Sequence, residues 1–182
     1  MPSIALAPKT HPPHAAYDPV FTPAFYAPYE AAAGAALAML CAARAQLSAK
    51  DGVRQITYRL KTPASIRGKL LKRGLPATAA SAAALHDIAG LRAVLADVSQ
   101  VYAFSRLLLH SSAAEFAYAR DYIATPKPSG YQSLHLILRI PAQDGSHRAP
   151  VPVEIQLRTA SMDAWASVEH DVCYKPATAM DS

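Results

Sequence analysis

The sequence predicts an α/β (α+β) domain built around a single mixed β-sheet of about five strands, which helices flank. Short runs rich in β-branched and other apolar residues alternate with longer runs that are Ala-rich or have apolar residues three to four positions apart. Strands interspersed with helices in this way argue for one mixed sheet. The length, 182 residues, is that of one domain with a sizeable core.

The chain begins with a segment that predicts an irregular arm. Residues 1 to about 28 hold seven of the fifteen prolines, a composition typical of irregular or disordered chain. From Glu30 to Lys50 the sequence is Ala-rich with interspersed leucines, which predicts a helix that ends at the Asp51-Gly52 pair. The predicted organisation is an arm at 1–28, one domain at 29–176 and a short tail at 177–182.

The remaining elements follow in order from local patterns. Short apolar or β-branched runs predict the strands, and apolar spacing near residues that start or stop a helix predicts the helices. The predicted strands are 56–61, 88–95, 118–123, 134–140 and 151–159. The predicted helices after the first are 65–73, 81–85, 98–109 and 161–174.

The composition favours an anionic ligand and a cytoplasmic location. The net charge of +5 suits a nucleotide, RNA or phosphate, without choosing among them. Cys41 and Cys173 form neither a paired framework nor a metal-binding spacing, so a reducing compartment is expected. The N-terminus does not have the pattern of a signal peptide, and no apolar run approaches membrane-spanning length.

The last predicted strand carries polar side chains on one face only. Along residues 151–159, apolar residues alternate strictly with Glu154, Gln156 and Arg158. Three functional polar groups therefore line one side of a strand whose other side belongs to the core. The alternative is an ordinary half-exposed strand with a solvated polar face.

A cationic cluster is predicted where the first strand passes into a helix. Arg59 and Lys61 share one face of the strand, and Ser65 and Lys69 share one face of the helix. The free N–H groups and positive dipole end of that helix add to these charges, which together suit a triphosphate. The glycine-rich Walker pattern is absent. The alternative is a basic, solvated helix.

An acidic residue, Asp87, leads into the buried second strand, and Arg92 follows it. Asp87 and Glu154 together suit Mg²⁺, which takes one or two protein carboxylates plus phosphate oxygens. His86-Asp87 also matches the dipeptide of metal-dependent HD phosphohydrolases. We reject that class because the nearest upstream histidine, His14, lies in the proline-rich arm.

A turn within residues 121–135 presents Lys127 and Tyr131, a charge for phosphate and a ring for a base. That pairing suggests a nucleotide site. In the last helix, Trp165 falls on the apolar face and is expected in the core. His170 on the same helix is expected to give structural support.

Together these segments resemble the synthetase domain of the RelA/SpoT family, the (p)ppGpp synthetases or GTP pyrophosphokinases, and most of all its small alarmone synthetases of the RelQ type. The likeness spans about residues 25 to 175 in the family's order. The matching pieces are RLKTPASI from Arg59, DIAGLR from Asp87, residues 121–135, EIQLRT from Glu154 and MDAWASVEH from Met162.

The resemblance implies a nucleotidyltransferase-like synthetase fold. It also implies an enzyme that uses Mg²⁺ to transfer the β,γ-pyrophosphate of ATP to the 3′-hydroxyl of GDP or GTP. The product would be (p)ppGpp, in stringent-response signalling. Such transfer depends on in-line positioning and charge neutralisation more than on covalent chemistry.

On the ATP side, the resemblance implies that Arg59 and Arg92 stack on the adenine from its two faces. Lys61, Ser65 and Lys69 would hold the ATP phosphates. These five residues are the expected donor site.

On the acceptor side, the resemblance implies that Tyr131 stacks on the guanine, with Lys127 and His135 near the acceptor or the transferring phosphates. Gln156 would support the acceptor. Asp87 would bind Mg²⁺, while Glu154 would share the metal or activate the 3′-hydroxyl, two roles between which the sequence does not decide.

The sequence departs from the family pattern in three places. Ser129 replaces the Asn of the usual Lys-x-Asn-Gly-Tyr turn, which bears on acceptor preference. The hydrolase domain of long members is absent, so synthesis without degradation is expected. Small synthetases continue past the Tyr-Lys pair with helices used in tetramer assembly, whereas this chain ends seven residues after Lys175. A homo-oligomer is expected, but either its assembly differs or the sequence is truncated.

Two further functions stay open at this point. The first is a toxin-like relative that pyrophosphorylates adenosine nucleotides or the tRNA 3′ end, since the basic residues Arg67, Lys72 and Arg73 permit RNA contact. The second is a catalytically silent nucleotide sensor or RNA-binding module. The presence of both Asp87 and Glu154 argues against the second, because a pure binder does not need a metal pair.

Overall fold

The computed structural model describes residues 18–47, 52–141 and 149–174. The predicted α/β class with one mixed five-stranded sheet is confirmed. The helices are α1 Pro23–Gln46, α2 Pro63–Lys72, α3 Ala79–Ala83, α4 Val98–Leu109 and α5 Ala160–Tyr174. The strands are β1 Val53–Leu60, β2 Ala89–Leu95, β3 Glu115–Asp121, β4 Leu134–Ile140 and β5 Val151–Thr159.

The sheet has the order β1-β2-β5-β4-β3, which puts β5 at its centre. β2 and β5 run parallel, and every other neighbouring pair is antiparallel. In this register Glu154 lies beside Gly90 of β2, and Gln156 lies between Arg92 of β2 and His135 of β4. The topology therefore gathers residues that are far apart in sequence onto three adjacent strands.

The core lies where α1 and α4 pack against β2 and β5. Leu40 of α1 and Phe104 of α4 are fully buried in one cluster with Ile155 of β5. Because side chains alternate along a strand, burial of this face of β5 directs Glu154 and Gln156 to the opposite face. The strict alternation predicted for β5 is thus confirmed, and it separates core from site.

The first helix begins earlier than predicted. The Thr22 side chain accepts a hydrogen bond from the backbone N–H of Phe25, and Pro23 occupies the first helical position, where its missing N–H costs nothing. Residues 23–28 are therefore helical, and their assignment to the irregular arm is wrong. Pro28 lies inside the helix. The rest of the predicted arm, residues 1–17, lies outside the described residues.

α1 also ends four residues earlier than predicted, and all other boundaries agree with prediction to within three residues. β3 shows the cause of one such difference. It ends at Asp121 instead of Ile123, because Oδ1 of Asp121 accepts hydrogen bonds from the backbone N–H groups of Ile123 (2.9 Å) and Ala124 (3.0 Å). This side-chain turn competes with strand pairing. In the described ranges, no helix has the length and apolar character needed to cross a membrane.

Candidate active site

The junction between β1 and α2 is held from two sides. The Thr62 side chain caps α2 by accepting from the backbone N–H of Ser65 (3.3 Å), and its hydroxyl donates to the Ser65 hydroxyl (2.9 Å). The Tyr26 hydroxyl of α1 donates to the backbone carbonyl of Lys61 (2.8 Å), and the N–H of Lys61 donates to the carbonyl of Ile88 (2.8 Å). The junction is thereby fixed against the start of β2, where Asp87 lies.

Asp87 sits between two of the predicted phosphate-binding lysines. Its Oδ2 lies 2.9 Å from Nζ of Lys61 and 2.6 Å from Nζ of Lys69. Burial acts to raise the pKa of Asp87, but the two ammonium groups outweigh it and hold this pKa below its ordinary value. Asp87 is therefore an anion at neutral pH. Its second oxygen, Oδ1, is buried and makes no hydrogen bond among the described residues.

Glu154 is held on both of its oxygens. Nδ1 of His135 lies 3.2 Å from Oε1, and Nε2 of Gln156 donates to Oε2 at 2.8 Å. Burial acts to raise the pKa of Glu154, but these partners outweigh it and lower the pKa. Glu154 is therefore a partly buried, oriented carboxylate, the form that a proton acceptor or a metal ligand requires.

The chain of hydrogen bonds around Glu154 continues from His135 into the turn within residues 121–135, which we call the acceptor turn. Nε2 of His135 lies 2.8 Å from the hydroxyl of Tyr131, and a terminal nitrogen of Arg158 donates to the same hydroxyl (2.5 Å) and to Oε1 of Gln156 (2.8 Å). Burial raises the pKa of Tyr131, which keeps the phenol protonated. The chain therefore joins the predicted acceptor residues directly to Glu154.

On the predicted ATP side, Arg92 pairs with Asp163 of α5 at 3.0 Å. Burial lowers the pKa of Arg92, and the charges of Arg158 and Arg59 lower it further, while Asp163 raises it. Arg59 and Arg92 lie on the paired strands β1 and β2, where Arg59 is opposite Gly90 and Arg92 is opposite Thr57. The strand pairing thus brings the two arginines to the same part of the sheet, and their stacking role stays a prediction.

The acceptor turn is tighter than its sequence suggested. Tyr131 is only 6% exposed, and Nζ of Lys127 lies over its ring, 4.4 Å from the ring centre. The same ammonium also lies 4.9 Å from the ring centre of Tyr122. Tyr131 is therefore buried, whereas the sequence predicts a ring displayed on the turn. Lys127 covers one face of this ring.

The acceptor turn also contacts α5. Trp165 is 50% exposed, so its predicted place in the core is wrong; its indole N–H instead donates to the carbonyl of Ser129 (3.1 Å). The Ser129 hydroxyl donates to Oε1 of Glu169. Gly130 has φ +79°, and a Cβ there would lie 3.5 Å from the indole. The side chain of His170 lies outside the described part of the structure, so its supporting role stays a prediction.

A pocket of about 150 Å³ opens where these elements meet. It brings together Lys69, Asp87 and Glu154, all predicted, with four polar residues that were not among the predicted site residues. Its lining is Lys69, Arg73, Ala84, His86, Asp87, Tyr118, Arg120, Ile137 and Glu154.

Of the four additional residues, Tyr118 and Arg120 belong to β3, Arg73 follows α2, and His86 precedes β2. Nδ1 of His86 lies 3.0 Å from the hydroxyl of Tyr118, and the guanidinium of Arg120 lies 5.3 Å from the centre of the Tyr118 ring. Tyr118 and Arg120 share one face of β3 by the period of two, a signal that the sequence does contain. Arg73, at the end of α2, was read only as part of a basic surface.

The carboxylates of this pocket fit a magnesium ion that binds together with a nucleotide. Within the described ranges no group of three or more His, Cys, Asp or Glu residues forms a metal cage. Asp87 and Glu154 line the same pocket, and the buried Oδ1 of Asp87 has no hydrogen-bond partner there. Mg²⁺ suits such a place, because it usually takes one or two carboxylates and completes its shell with waters and phosphate oxygens.

Two partly buried carboxylates that share a pocket with lysine and arginine side chains form an arrangement typical of phosphoryl-transfer sites. The family model described as "Region found in RelA / SpoT proteins" matches residues 58–179, more than half of the chain, and this protein belongs to that family. The family resemblance inferred from the motifs is thereby confirmed.

Proteins with a similar sequence include bacterial GTP pyrophosphokinases. The GTP pyrophosphokinase YwaC of Bacillus subtilis is 40% identical over 118 residues, which are 64% of this chain and 56% of YwaC. The chain thus spans little more than half the length of that curated relative.

Small alarmone synthetase 1 from Bacillus subtilis has a similar structure, with a TM-score of 0.76 and 33% identity over 83% of this chain and 78% of that chain. Its complex with the product pppGpp gives a TM-score of 0.75 at 33% identity, again over 83% and 78%. Its complex with AMPCPP gives 0.68 at 30% identity, over 83% and 77%.

Proposed function

We propose that this protein is a GTP pyrophosphokinase that transfers the β,γ-pyrophosphate of ATP to the 3′-hydroxyl of GDP or GTP and so makes (p)ppGpp. One observation carries the proposal: Asp87 and Glu154 lie in one pocket, the first bound by two lysines and the second oriented by His135 and Gln156. The pppGpp and AMPCPP complexes of the similar synthetase support both substrate classes.

On the donor side, the adenine stacks between Arg59 and Arg92, whose guanidinium planes suit the faces of a base. Lys61, Ser65 and Lys69 hold the phosphates. Both lysines are paired with Asp87, which holds their ammonium groups together at the place proposed for the polyphosphate. Bound Mg²⁺, held by Asp87 with Glu154 as the candidate second ligand, would neutralise charge on the transferring phosphates.

On the acceptor side, the guanine stacks on the ring of Tyr131. That requires Lys127 to leave the ring, which its exposed position and long, flexible side chain allow. The displaced ammonium then faces the acceptor phosphates. His135 and Gln156 hold Glu154 in place, and Glu154 takes the proton of the 3′-hydroxyl as it attacks the β-phosphorus.

The alternative function, pyrophosphorylation of tRNA, rests on the basic residues Arg67, Lys72 and Arg73, and the structure weakens the argument from Arg67. Arg67 is paired with Asp18 through two nitrogens, at 2.9 and 3.0 Å, and its guanidinium lies over the ring of Phe21. Its charge is therefore already engaged within the protein. Assembly into a homo-oligomer stays a prediction.

The test of the proposed function is transfer from ATP labelled at the γ-phosphate, with Mg²⁺, to GDP, GTP, ADP or deacylated tRNA offered separately. We expect labelled guanosine products and little label on ADP or tRNA. Label on tRNA or ADP alone would overturn the proposal in favour of a toxin-like relative. Tight nucleotide binding without any labelled acceptor would indicate a silent sensor.

Tyr131→Ala should weaken GDP binding about thirtyfold, because base–aromatic stacking is worth roughly 2 kcal/mol. AMPCPP affinity should change far less, since the adenine and the ATP phosphates are proposed to bind other residues. Isothermal titration with each nucleotide separates the two effects. The melting temperature is measured alongside, because the variant also removes the hydroxyl that His135 and Arg158 contact. An equal loss for both nucleotides would show that the turn is structural.

A further inference from the structure

Arg158 is a buried cation between the proposed ATP side and the proposed acceptor side of the site. Its side chain is 4% exposed. Its spacing predicts a place on the polar face of β5 but assigns it no part in binding either nucleotide. Its guanidinium donates to the Tyr131 hydroxyl (2.5 Å), to Oε1 of Gln156 (2.8 Å) and to Oδ1 of Asp163 (3.1 Å). A buried charge is costly unless it is paired and hydrogen-bonded, so this set of contacts holds Arg158 in one orientation.

Asp163 joins Arg158 to the donor side. The same oxygen, Oδ1, lies 3.0 Å from a terminal nitrogen of Arg92 and 3.1 Å from Arg158. Nε of Arg92 is buried and makes no hydrogen bond among the described residues, so the contact with Asp163 is what orients this guanidinium. One carboxylate oxygen therefore lies between an arginine of the ATP side and an arginine of the acceptor side.

Arg158 also gives a direction to the chain of hydrogen bonds that ends at Glu154. A guanidinium can only donate, so the oxygen of Tyr131 accepts from Arg158 and its proton is free to point to Nε2 of His135. A neutral His135 that accepts at Nε2 carries its proton on Nδ1, the atom that lies 3.2 Å from Glu154. Arg158 thus favours the tautomer that donates to Glu154.

We propose that Arg158 and Asp163 are positioning residues that couple the two nucleotide sites. Asp163 orients Arg92 against the adenine and Arg158 against Tyr131. A nucleotide that fixes the side chains of one site therefore also fixes, through Asp163, the side chains that bind the other nucleotide. The inference rests on the proposed function for the identity of the two nucleotides. It concerns binding, however, and can be tested without turnover.

Asp163→Asn is the first test, because it removes the shared charge and keeps the shape. We expect the affinities for AMPCPP and for GDP, each titrated alone by calorimetry, to fall about tenfold, the loss typical of a hydrogen bond to a charged group. Glu115→Gln, which removes a carboxylate from an exposed position on β3, should change neither affinity. A loss confined to one nucleotide, or none, would overturn the coupling.

Tyr131→Phe provides the second half of a double-mutant cycle. It keeps the stacking ring but removes the hydroxyl that Arg158 contacts, so GDP affinity should fall and AMPCPP affinity should not. Because Asp163 acts on Tyr131 through Arg158, the combined variant should lose less GDP affinity than the product of the two single losses. Independent, multiplicative losses would contradict the link through Arg158.

If Asp163→Asn does not remain folded at the assay temperature, Arg158→Lys replaces it. Lysine keeps the charge but cannot form the guanidinium fork, so GDP binding should fall about tenfold in a protein that still melts cooperatively. Unchanged GDP affinity in Arg158→Lys would refute the positioning role.

Wild-type protein that binds both nucleotides but transfers no label would refute the proposed function alone. The double-mutant binding cycle would still test the coupling between the two sites.

Discussion

Replacing Glu154 with Gln is expected to reduce pyrophosphate transfer about a thousandfold, within the range for loss of a positioned general base. The fold should tolerate the change, because Gln has the same shape and His135 can adopt its other tautomer to accept from the new amide. AMPCPP affinity should stay within about threefold of the wild type, since the partners that hold Glu154 are the acceptor-side residues His135 and Gln156. The measurement is labelled transfer in parallel with calorimetry.

The same variant decides between the two roles open to Glu154. If Glu154 acts only as the base, the Mg²⁺ concentration for half-maximal residual turnover should not change. If it is also a metal ligand, that concentration should rise. Near-normal turnover in Glu154→Gln would contradict both roles.

Asp87→Asn is expected to have an effect of similar size for a different reason. A metal ion contributes several kcal/mol of charge stabilisation in such reactions, and a loss of about 4 kcal/mol is about a thousandfold in rate. The variant removes the anion that Lys61 and Lys69 share, so both ammonium groups become available to phosphate. We therefore expect turnover to fall while metal-free AMPCPP binding stays equal or becomes tighter.

Glu115→Gln serves again as the control for loss of one negative charge, and it should retain wild-type turnover. Titration with AMPCPP in the presence of EDTA isolates the electrostatic effect of Asp87 from its effect on the metal. A large loss of metal-free binding in Asp87→Asn would show that Asp87 positions the lysines for ATP, and the assigned metal role would then be wrong.

Much of the fold follows from periodicity in the sequence. The alternation in β5 and the apolar spacing of α4 predict their bounds, because one face of each is buried in the core. The start of α1 could not be read in the same way. Prolines usually indicate irregular chain, but here Thr22 caps the helix and turns Pro23 into a first-turn residue.

The side chains of the site could be predicted by face but not by partner. Spacing placed Arg158 beside Gln156 on the polar face of β5, yet only the pairing of β5 with its neighbours and the position of α5 bring Arg158 to Tyr131 and Asp163. Trp165 shows the same limit. Helical spacing marked it as apolar, whereas its indole lies over the acceptor turn, because the Ser129 carbonyl offers a partner there.

The most direct test of the central claim is the fate of ATP labelled on both its β- and γ-phosphates, incubated with this protein, Mg²⁺ and GDP. Transfer of the pyrophosphate as one unit predicts AMP as the co-product, equal in amount to a guanosine product that carries both labels at the 3′ position. Release of ADP, with only the γ-label transferred, would contradict the account.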